Sequence, residues 1–224
     1  MIDKLIERNV NPAYKLGSIG HDALSTVYLM DCVEGMKQFS DNYFSLAVTD
    51  PPYGIDINKS GRLVKEKGWD YKDWDKKTPT IEFFKELKRV SKDQIIWGGN
   101  YFNLGATRCY LIWDKKQPED ISFASAELAW TSFDKSTKTF YWHPQYKNKN
   151  RIHPTQKPVA LYEWIFKNYA KEGDLILDTH LGSQSSRIAA NKAGLDFIGF
   201  EIDKDYFDTG NKRFKRFVSQ STLF

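Results

Sequence analysis

The stretch that decides the fold reads Phe44-Ser45-Leu46-Ala47-Val48-Thr49-Asp50-Pro51-Pro52-Tyr53-Gly54. Its first six residues carry no charge, which is typical of a parallel strand covered on both faces. The prolines fix φ and remove two N–H donors, so they would hold Asp50 and Tyr53 rigidly where the strand ends. Ligands of open α/β sheets bind at the carboxyl ends of the strands. This segment is therefore a candidate binding site.

A carboxylate, a carbonyl and an aromatic ring at one strand end suit a planar amino group. The exocyclic amino group of adenine or cytosine offers two N–H donors, which the carboxylate of Asp50 and the carbonyl of Pro51 can accept. That arrangement directs the nitrogen lone pair toward an electrophile, while the ring of Tyr53 stacks on the base. The alternative is a proline-rich turn in which Asp50 caps a helix.

Short apolar segments recur along the chain and alternate with helical patterns. The predicted strands are 27–30, 44–49, 94–97, 110–113, 127–133, 175–177 and 197–200, and the predicted helices are 81–90, 158–170, 183–193 and 203–217. This alternation indicates a doubly wound, mostly parallel α/β sheet. Because residues 110–141 show strands without an intervening helix, we expect an antiparallel strand at one edge.

Composition excludes several classes of protein. The chain has 224 residues, of which 41% are hydrophobic and 28% charged, too apolar for a disordered tail and too polar for a membrane protein. Its apolar runs are far shorter than the ~18 residues of a transmembrane helix, and its start lacks a signal peptide's apolar centre. We expect a cytoplasmic protein without a membrane partner. The two cysteines, Cys32 and Cys109, and the four scattered histidines predict no metal site.

The basic residues are concentrated in two segments. Net charge is +4, and no linker or repeat divides the chain, which indicates a single domain, 1–224, with insertions at about 55–80 and 134–153. Both insertions mix basic and aromatic side chains, a combination that suits phosphates and unstacked bases. The alternative for each is a solvated loop. The candidate nucleic-acid-binding residues are Arg62, Lys65, Lys67, Trp69, Lys147, Lys149 and Arg151.

A second candidate site combines acidic strand ends with a short glycine turn. Asp31, Asp178 and Glu201 each close an apolar run, as Asp50 does, although any one of them could instead cap a helix. Glu201 follows the turn at Gly182 by 19 residues, a spacing that suits a carboxylate on ribose hydroxyls. The G-x-G-x-x-G pattern that a pyrophosphate requires is absent. The pattern therefore favours S-adenosylmethionine, which has a ribose but no phosphate, over a dinucleotide. The alternative is an ordinary strand–helix turn with a glycine for packing, which would be preferred without the segment from Asp50 to Tyr53.

These segments together resemble the amino-methyltransferases that modify adenine N6 or cytosine N4 in DNA, whose hallmark is Asp-Pro-Pro-Tyr. Further segments that resemble the family follow in family order, at residues 97–102, 113–115, 126–131 and 153–158. Because Asp-Pro-Pro-Tyr precedes the cofactor segment, the order resembles the β class, a circular permutation of the Rossmann-like methyltransferase fold, and its small phage and prophage members in particular.

The resemblance implies an S-adenosylmethionine-dependent enzyme that flips a base out of double-stranded DNA and methylates it at a specific site, as in restriction–modification. It implies catalytic roles for Asp50, Pro51, Pro52 and Tyr53. It also implies a cofactor site made of Asp31, Thr155, Lys157, Asp178, His180, Gly182, Ser183 and Glu201. Family members with Ser in place of the Asp lean toward cytosine, so Asp-Pro-Pro-Tyr favours N6-methyladenine.

Alternatives to this reading are N4-cytosine methylation, RNA adenine methylation and a non-catalytic DNA-binding partner subunit of the same fold. The intact motif from Asp50 to Tyr53 argues against a degenerate subunit. Gln184, which stands where the family has a glycine, argues for one, and Thr179 and His180 also depart from the family's Asp-Pro-Phe. A homodimer is compatible with either form.

Overall fold

One mixed sheet organises the described part of the chain, which in this computed structural model comprises residues 24–56, 75–117, 124–143 and 151–221. Its eight strands are β1 (Ser25–Leu29), β2 (Phe44–Thr49), β3 (Ser91–Trp97), β4 (Tyr110–Asp114), β5 (Ala126–Thr131), β6 (Lys138–Tyr141), β7 (Leu175–Asp178) and β8 (Asp196–Glu201). The helices are α1 (Cys32–Met36), α2 (Ile81–Val90), α3 (Val159–Tyr169), α4 (Ser185–Lys192) and α5 (Lys204–Ser221).

The strand order is β1-β8-β7-β2-β3-β5-β4-β6, and the expected mostly parallel α/β fold is confirmed. β5 runs antiparallel to both of its neighbours, β3 and β4. The edge strand itself, β6, pairs in parallel with β4. The sequence did not predict β6, because its four residues, Lys-Thr-Phe-Tyr, lack a continuous apolar face.

β2 and β7 are parallel neighbours in the sheet, and the strands that follow them in the chain are added on opposite sides of this pair. From β2 the chain crosses through α2 to β3 on one side, and from β7 it crosses through α4 to β8 on the other. Such a switch point opens a crevice beyond the carboxyl ends of the two strands. The crevice therefore lies between the turn that follows Thr49 and the turn that follows Asp178.

The central strands are buried on both faces, as their apolar sequences predict. In β2, Leu46 and Val48 belong to the core cluster that α3 and α4 cover, whereas Ala47 belongs to the cluster that α1 and α2 cover. All three side chains have at most 1% of their surface exposed. Burial on both sides fixes β2 in place, so the turn that follows it is held rigidly.

Other expectations can be compared with the described residues. Cys32 and Cys109 are free thiols. Among the described residues no three His, Cys, Asp or Glu side chains come together as a metal site would require. Within the same ranges no helix has the length and apolarity needed to cross a membrane.

Candidate active site

A cavity of about 1000 Å³ lies at the switch point and joins the two predicted sites. Its lining includes all four predicted catalytic residues, Asp50, Pro51, Pro52 and Tyr53. It also includes seven of the eight predicted cofactor residues, namely Asp31, Thr155, Lys157, His180, Gly182, Ser183 and Glu201. The two sequence segments, more than a hundred residues apart, therefore contribute to one cavity.

The turn after β2 is fixed by hydrogen bonds at both of its functional side chains. The Tyr53 hydroxyl donates to Oδ1 of Asp50 at 2.6 Å. The backbone N–H groups of Tyr53 and Gly54 donate to Oδ1 of Asp75, at 2.8 and 3.2 Å. Tyr53 also stacks on Tyr101, with ring centroids 4.9 Å apart. Sequence reasoning missed Asp75, which belongs to no recognisable pattern, and it included Tyr101 only in the segment 97–102 that resembles the family, without a role.

Gly98 allows the Tyr53 ring to reach this position. It has a φ of 70°, in the left-handed region that favours glycine, and a Cβ at this position would lie 2.2 Å from the Tyr53 ring. Real Cβ contacts do not come so close, so the ring would have to move. Gly98 thus supports the position of Tyr53.

We expect Gly98→Ala to reduce methyl transfer strongly while leaving cofactor affinity near its wild-type value. The added Cβ displaces Tyr53, which is predicted to stack on the base, and the positive φ destabilises the fold by about 1 kcal/mol. Steady-state kinetics and equilibrium cofactor binding measure the two effects. As a control, Gly105→Ala has the same left-handed backbone cost at φ 85° but meets no atom within 4 Å. Equal losses of activity in the two variants would contradict the role given to Gly98.

Four charged side chains form a network in the wall of the cavity. Nζ of Lys157 lies 2.5 Å from Oδ2 of Asp50 and 3.0 Å from Oε2 of Glu127. Oε1 of Glu127 pairs with Lys115 at 2.7 Å. The structure therefore places Lys157, predicted at the methionine end of the cofactor, directly against the carboxylate of Asp50, a predicted catalytic residue.

Burial and this network together set the charge of each group. Burial raises the pKa of Asp50, an effect that Lys157 opposes and Glu127 reinforces. Burial would also raise the pKa of Glu127, but the two lysines outweigh it and lower that pKa to about 2. Sequence reasoning included Glu127 only in a segment resembling the family, without a role. A carboxylate within the apolar strand β5 was the available signal.

The turn between β7 and α4 is built around two carboxylates. Glu201 accepts backbone hydrogen bonds from Gly182 at 2.8 Å, through Oε2, and from Asp203 at 2.9 Å, through Oε1. Asp178 accepts from the backbone N–H of His180 at 3.0 Å and from the Ser186 hydroxyl at 2.5 Å. Glu201 thus both lines the cavity and holds the glycine turn.

Asp178 is the one predicted cofactor residue that does not line the cavity. It is 2% exposed, and burial raises its pKa to about 7 despite its hydrogen bonds. Burial also lowers the pKa of His180 to about 4, so this imidazole is neutral at neutral pH. Through its hydrogen bonds to His180 and Ser186, Asp178 holds the turn between β7 and α4 in place.

Asp31 combines the two roles that the sequence left open. Its Oδ1 accepts hydrogen bonds from the backbone N–H groups of Val33 and Glu34, at 2.8 and 3.1 Å, and so caps α1. It nevertheless lines the cavity at the end of β1, next to β8. Capping and cavity lining are therefore compatible for this residue.

Gln184 does not enter the cavity. It has a φ of 58° and is fully buried beneath the turn, where its amide donates to Oδ1 of Asn211 at 3.2 Å. Nη1 of Arg187 donates to Oε1 of Gln184 at 2.9 Å. A Cβ at Gly210 would lie 2.7 Å from the Gln184 amide, so this glycine makes room for it. The departure from the family pattern is thus accommodated between α4 and α5.

The predicted nucleic-acid residues are described only in part. Arg62, Lys65, Lys67, Trp69, Lys147 and Lys149 lie outside the described residues. Arg151 is partly buried, and its Nη2 donates to the carbonyl of Pro154 at 2.8 Å, before α3. Burial lowers the pKa of its guanidinium. This contact gives Arg151 a structural partner, and its binding to nucleic acid stays a prediction.

The fold is similar to that of solved methyltransferases of the α/β type. M1.HpyAVI, solved in complex with SAM, has a TM-score of 0.57 at 22% identity, with 84% of this chain and 98% of that one covered. A DNA methyltransferase described as PvuII, cytosine-N4-specific, has a TM-score of 0.62 at 16% identity and covers 96% of this chain and 97% of its own. Both share the architecture described above.

Sequence comparisons show similarity to methyltransferases that act on DNA. Residues 107–212 match the family model described as DNA methylase. The type II methyltransferase M.HinfI of Haemophilus influenzae is 25% identical, over 87% of this chain and 69% of its own length. M.HpaI of Haemophilus parainfluenzae is 26% identical, over 82% and 72%. The chain is similar in sequence to the N6/N4 DNA methyltransferases, and the resemblance inferred from its motifs is confirmed.

Proposed function

We propose that this chain is an S-adenosylmethionine-dependent enzyme that forms N6-methyladenine at a specific site in double-stranded DNA. The observation that carries the proposal is the single cavity in which the turn from Asp50 to Tyr53 faces the turn held by Glu201. One side offers acceptors for an amino group, and the other offers a carboxylate at the end of a strand. Group transfer between two bound molecules requires such an arrangement.

The chemistry of the cavity wall fits a cationic cofactor that lacks phosphate. Among the described residues, six acidic ones line the cavity, namely Asp31, Asp50, Asp75, Glu127, Glu201 and Asp203, against two lysines, Lys115 and Lys157. An acidic wall attracts a sulfonium and repels a pyrophosphate. A volume of about 1000 Å³ lies at the upper end of the range for small-molecule sites, which leaves room for a base as well.

On the cofactor side, the chain's residues would bind and orient. Glu201 would accept the ribose hydroxyls while it holds Gly182, and Asp31 would face the adenine end. Ser183, His180 and Thr155 would border the amino-acid end, and Lys157 lies between this end and Asp50. S-adenosylmethionine, when bound, supplies a methyl group on a positively charged sulfur.

On the base side, the chain would receive a flipped nucleotide. Tyr53 would stack on the base, and Asp50 and the Pro51 carbonyl would accept its two amino hydrogens. Asp50 would then take the proton that the nitrogen loses once it carries the methyl group. Asp at this position, rather than Ser, favours adenine over cytosine.

The non-catalytic alternative is less well supported than the enzyme. The hydrogen bond between Tyr53 and Asp50 at the cavity supports the enzyme, and the side chain of Gln184 is directed to Asn211 and does not line the cavity. Titration with S-adenosylmethionine discriminates between the two, since a degenerate subunit need not bind it. Transfer of label from the cofactor to duplex DNA, with single-stranded RNA as the comparison, tests the substrate. Transfer to RNA alone would overturn the DNA assignment.

The insertion at 55–80 yields a separate prediction about DNA binding. We expect replacement of Lys65 and Lys67 by Ala to weaken DNA binding at every sequence. The log–log slope of affinity against salt should fall by roughly 0.9 for each phosphate contact removed. Binding measured between low and moderate salt gives that slope. An unchanged slope would show that these two lysines do not contact phosphate.

A further inference from the structure

Both oxygens of the Asp50 carboxylate already have partners inside the protein. Oδ1 accepts from the Tyr53 hydroxyl at 2.6 Å, and Oδ2 pairs with Nζ of Lys157 at 2.5 Å. In the proposed reaction the same carboxylate must accept an amino group. Lys157 takes up one acceptor position of Oδ2 and withdraws negative charge from it, so Oδ2 is a better acceptor for the base once the lysine moves away.

Lys157 has a second anionic partner within reach. Its Nζ lies 3.0 Å from Oε2 of Glu127, and its side chain is only 3% exposed. Nζ also lies over the rings of Tyr53, at 5.7 Å from the centroid, and Trp97, at 5.4 Å. Rings and carboxylates enclose the cation, so the lysine stays paired with a carboxylate when Nζ makes a small movement from Asp50 toward Glu127.

We propose that Glu127 is a positioning residue that draws Lys157 away from Asp50 when the amino group of the base arrives, so that Oδ2 becomes the acceptor. The inference rests on the proposed function and adds to it the exchange of one partner for another. Lys157 stays protonated throughout, and no covalent bond changes. Lys115, which holds the other oxygen of Glu127, keeps that carboxylate fixed.

The pKa of Asp50 is a readout that a purely structural role of Glu127 would not change. The charged or titratable groups that act on Asp50 are Lys157, Glu127 and Tyr53, and those on which it acts in turn include Tyr162 and Asp178. Lys115 and Arg151 face Glu127. Lys157 favours the ionised form of Asp50 and lowers its pKa, whereas Glu127 disfavours that form and raises the pKa. Removing the charge of Lys157 and removing the charge of Glu127 should therefore shift the pKa of Asp50 in opposite directions.

The test titrates Asp50 in the full chain by ¹³C NMR of labelled aspartate carboxyls, assigned with Asp50→Asn. In Glu127→Gln the pKa of Asp50 should fall by about half a unit, and in Lys157→Met it should rise by about one unit or more. Lys115→Met should shift the pKa in the same direction as Lys157→Met, and it replaces that variant if Lys157→Met does not fold. Glu163→Gln, which removes a carboxylate from the ion pair with Lys192 outside the cavity, is the control.

Kinetics distinguish displacement of Lys157 from electrostatics alone. In Glu127→Gln the plateau of kcat in the pH profile should fall about tenfold to a hundredfold, because Lys157 remains on Oδ2. This fall is expected even though a larger fraction of Asp50 is ionised in the variant. The cofactor KM should stay near its wild-type value. An unchanged plateau of kcat in Glu127→Gln would overturn the inference. So would shifts of the Asp50 pKa in the same direction in Glu127→Gln and Lys157→Met. A wild-type protein that methylates no DNA would overturn the proposed function alone, while the NMR titration would still decide whether Glu127 and Lys157 act on Asp50.

Discussion

Asp50→Asn is expected to lower methyl transfer by about 10² to 10⁴-fold while cofactor affinity stays near its wild-type value. The amide keeps the shape of the side chain, so Tyr53 can still donate to Oδ1. Its nitrogen, however, cannot accept an amino hydrogen or a proton. Lys157 keeps Glu127 as an anionic partner, which allows the variant to fold. Labelled-methyl transfer and calorimetric titration with the cofactor measure the two properties.

The control for this variant is Asp41→Asn. This change removes the same charge from an exposed ion pair with Arg89, away from the cavity, and the variant's activity should match that of the wild-type protein. Simultaneous loss of cofactor binding and methyl transfer in a folded Asp50→Asn protein would contradict the assignment of Asp50 to the base.

Glu201→Gln should have the second largest effect, on cofactor binding. A hydrogen bond to a charged group contributes about 1.5 to 3 kcal/mol, so the cofactor dissociation constant should rise roughly 10- to 150-fold. The structure adds a reason beyond the ribose. Both carboxylate oxygens accept backbone N–H groups, of Gly182 and Asp203, and an amide can accept at only one of them. The glycine turn therefore loses an anchor.

Equilibrium titration with S-adenosylmethionine measures this change directly. The control is Glu172→Gln, because Glu172 is exposed in the turn before β7 and does not line the cavity. A dissociation constant for Glu201→Gln equal to that of Glu172→Gln would refute the role of Glu201 in cofactor binding.

The hydrophobic periodicity and the residues that begin or end helices and strands were sufficient to predict most of the fold. The bounds of β2 and α2 agree with the sequence, since each has a strong pattern and a clear terminal signal. The predicted cap of α5 is also confirmed, because Oδ1 of Asp203 accepts from the N–H groups of Asp205 and Tyr206. α1 was missed because its five residues are too few for a periodic pattern.

Contacts between distant strands were the part that sequence could not provide. Glu127 and Lys157 meet because the antiparallel β5 inserts between β3 and β4, an order that no local pattern encodes. The direction of Gln184 was likewise hidden, because a left-handed φ turns its side chain toward α5 and away from the cavity. Motifs predicted which residues gather at the cavity, whereas their pairing depends on topology.

The identity of the methylated base tests the central claim most directly. Duplex DNA of mixed sequence is incubated with the protein and S-adenosylmethionine, digested to nucleosides and separated by mass spectrometry, with Asp50→Asn as the matched blank. The account predicts N6-methyldeoxyadenosine in the wild-type reaction and none above background in the blank. N4-methyldeoxycytidine as the only product would contradict the adenine assignment, and no methylated nucleoside at all, from a protein that binds the cofactor, would contradict the proposed reaction.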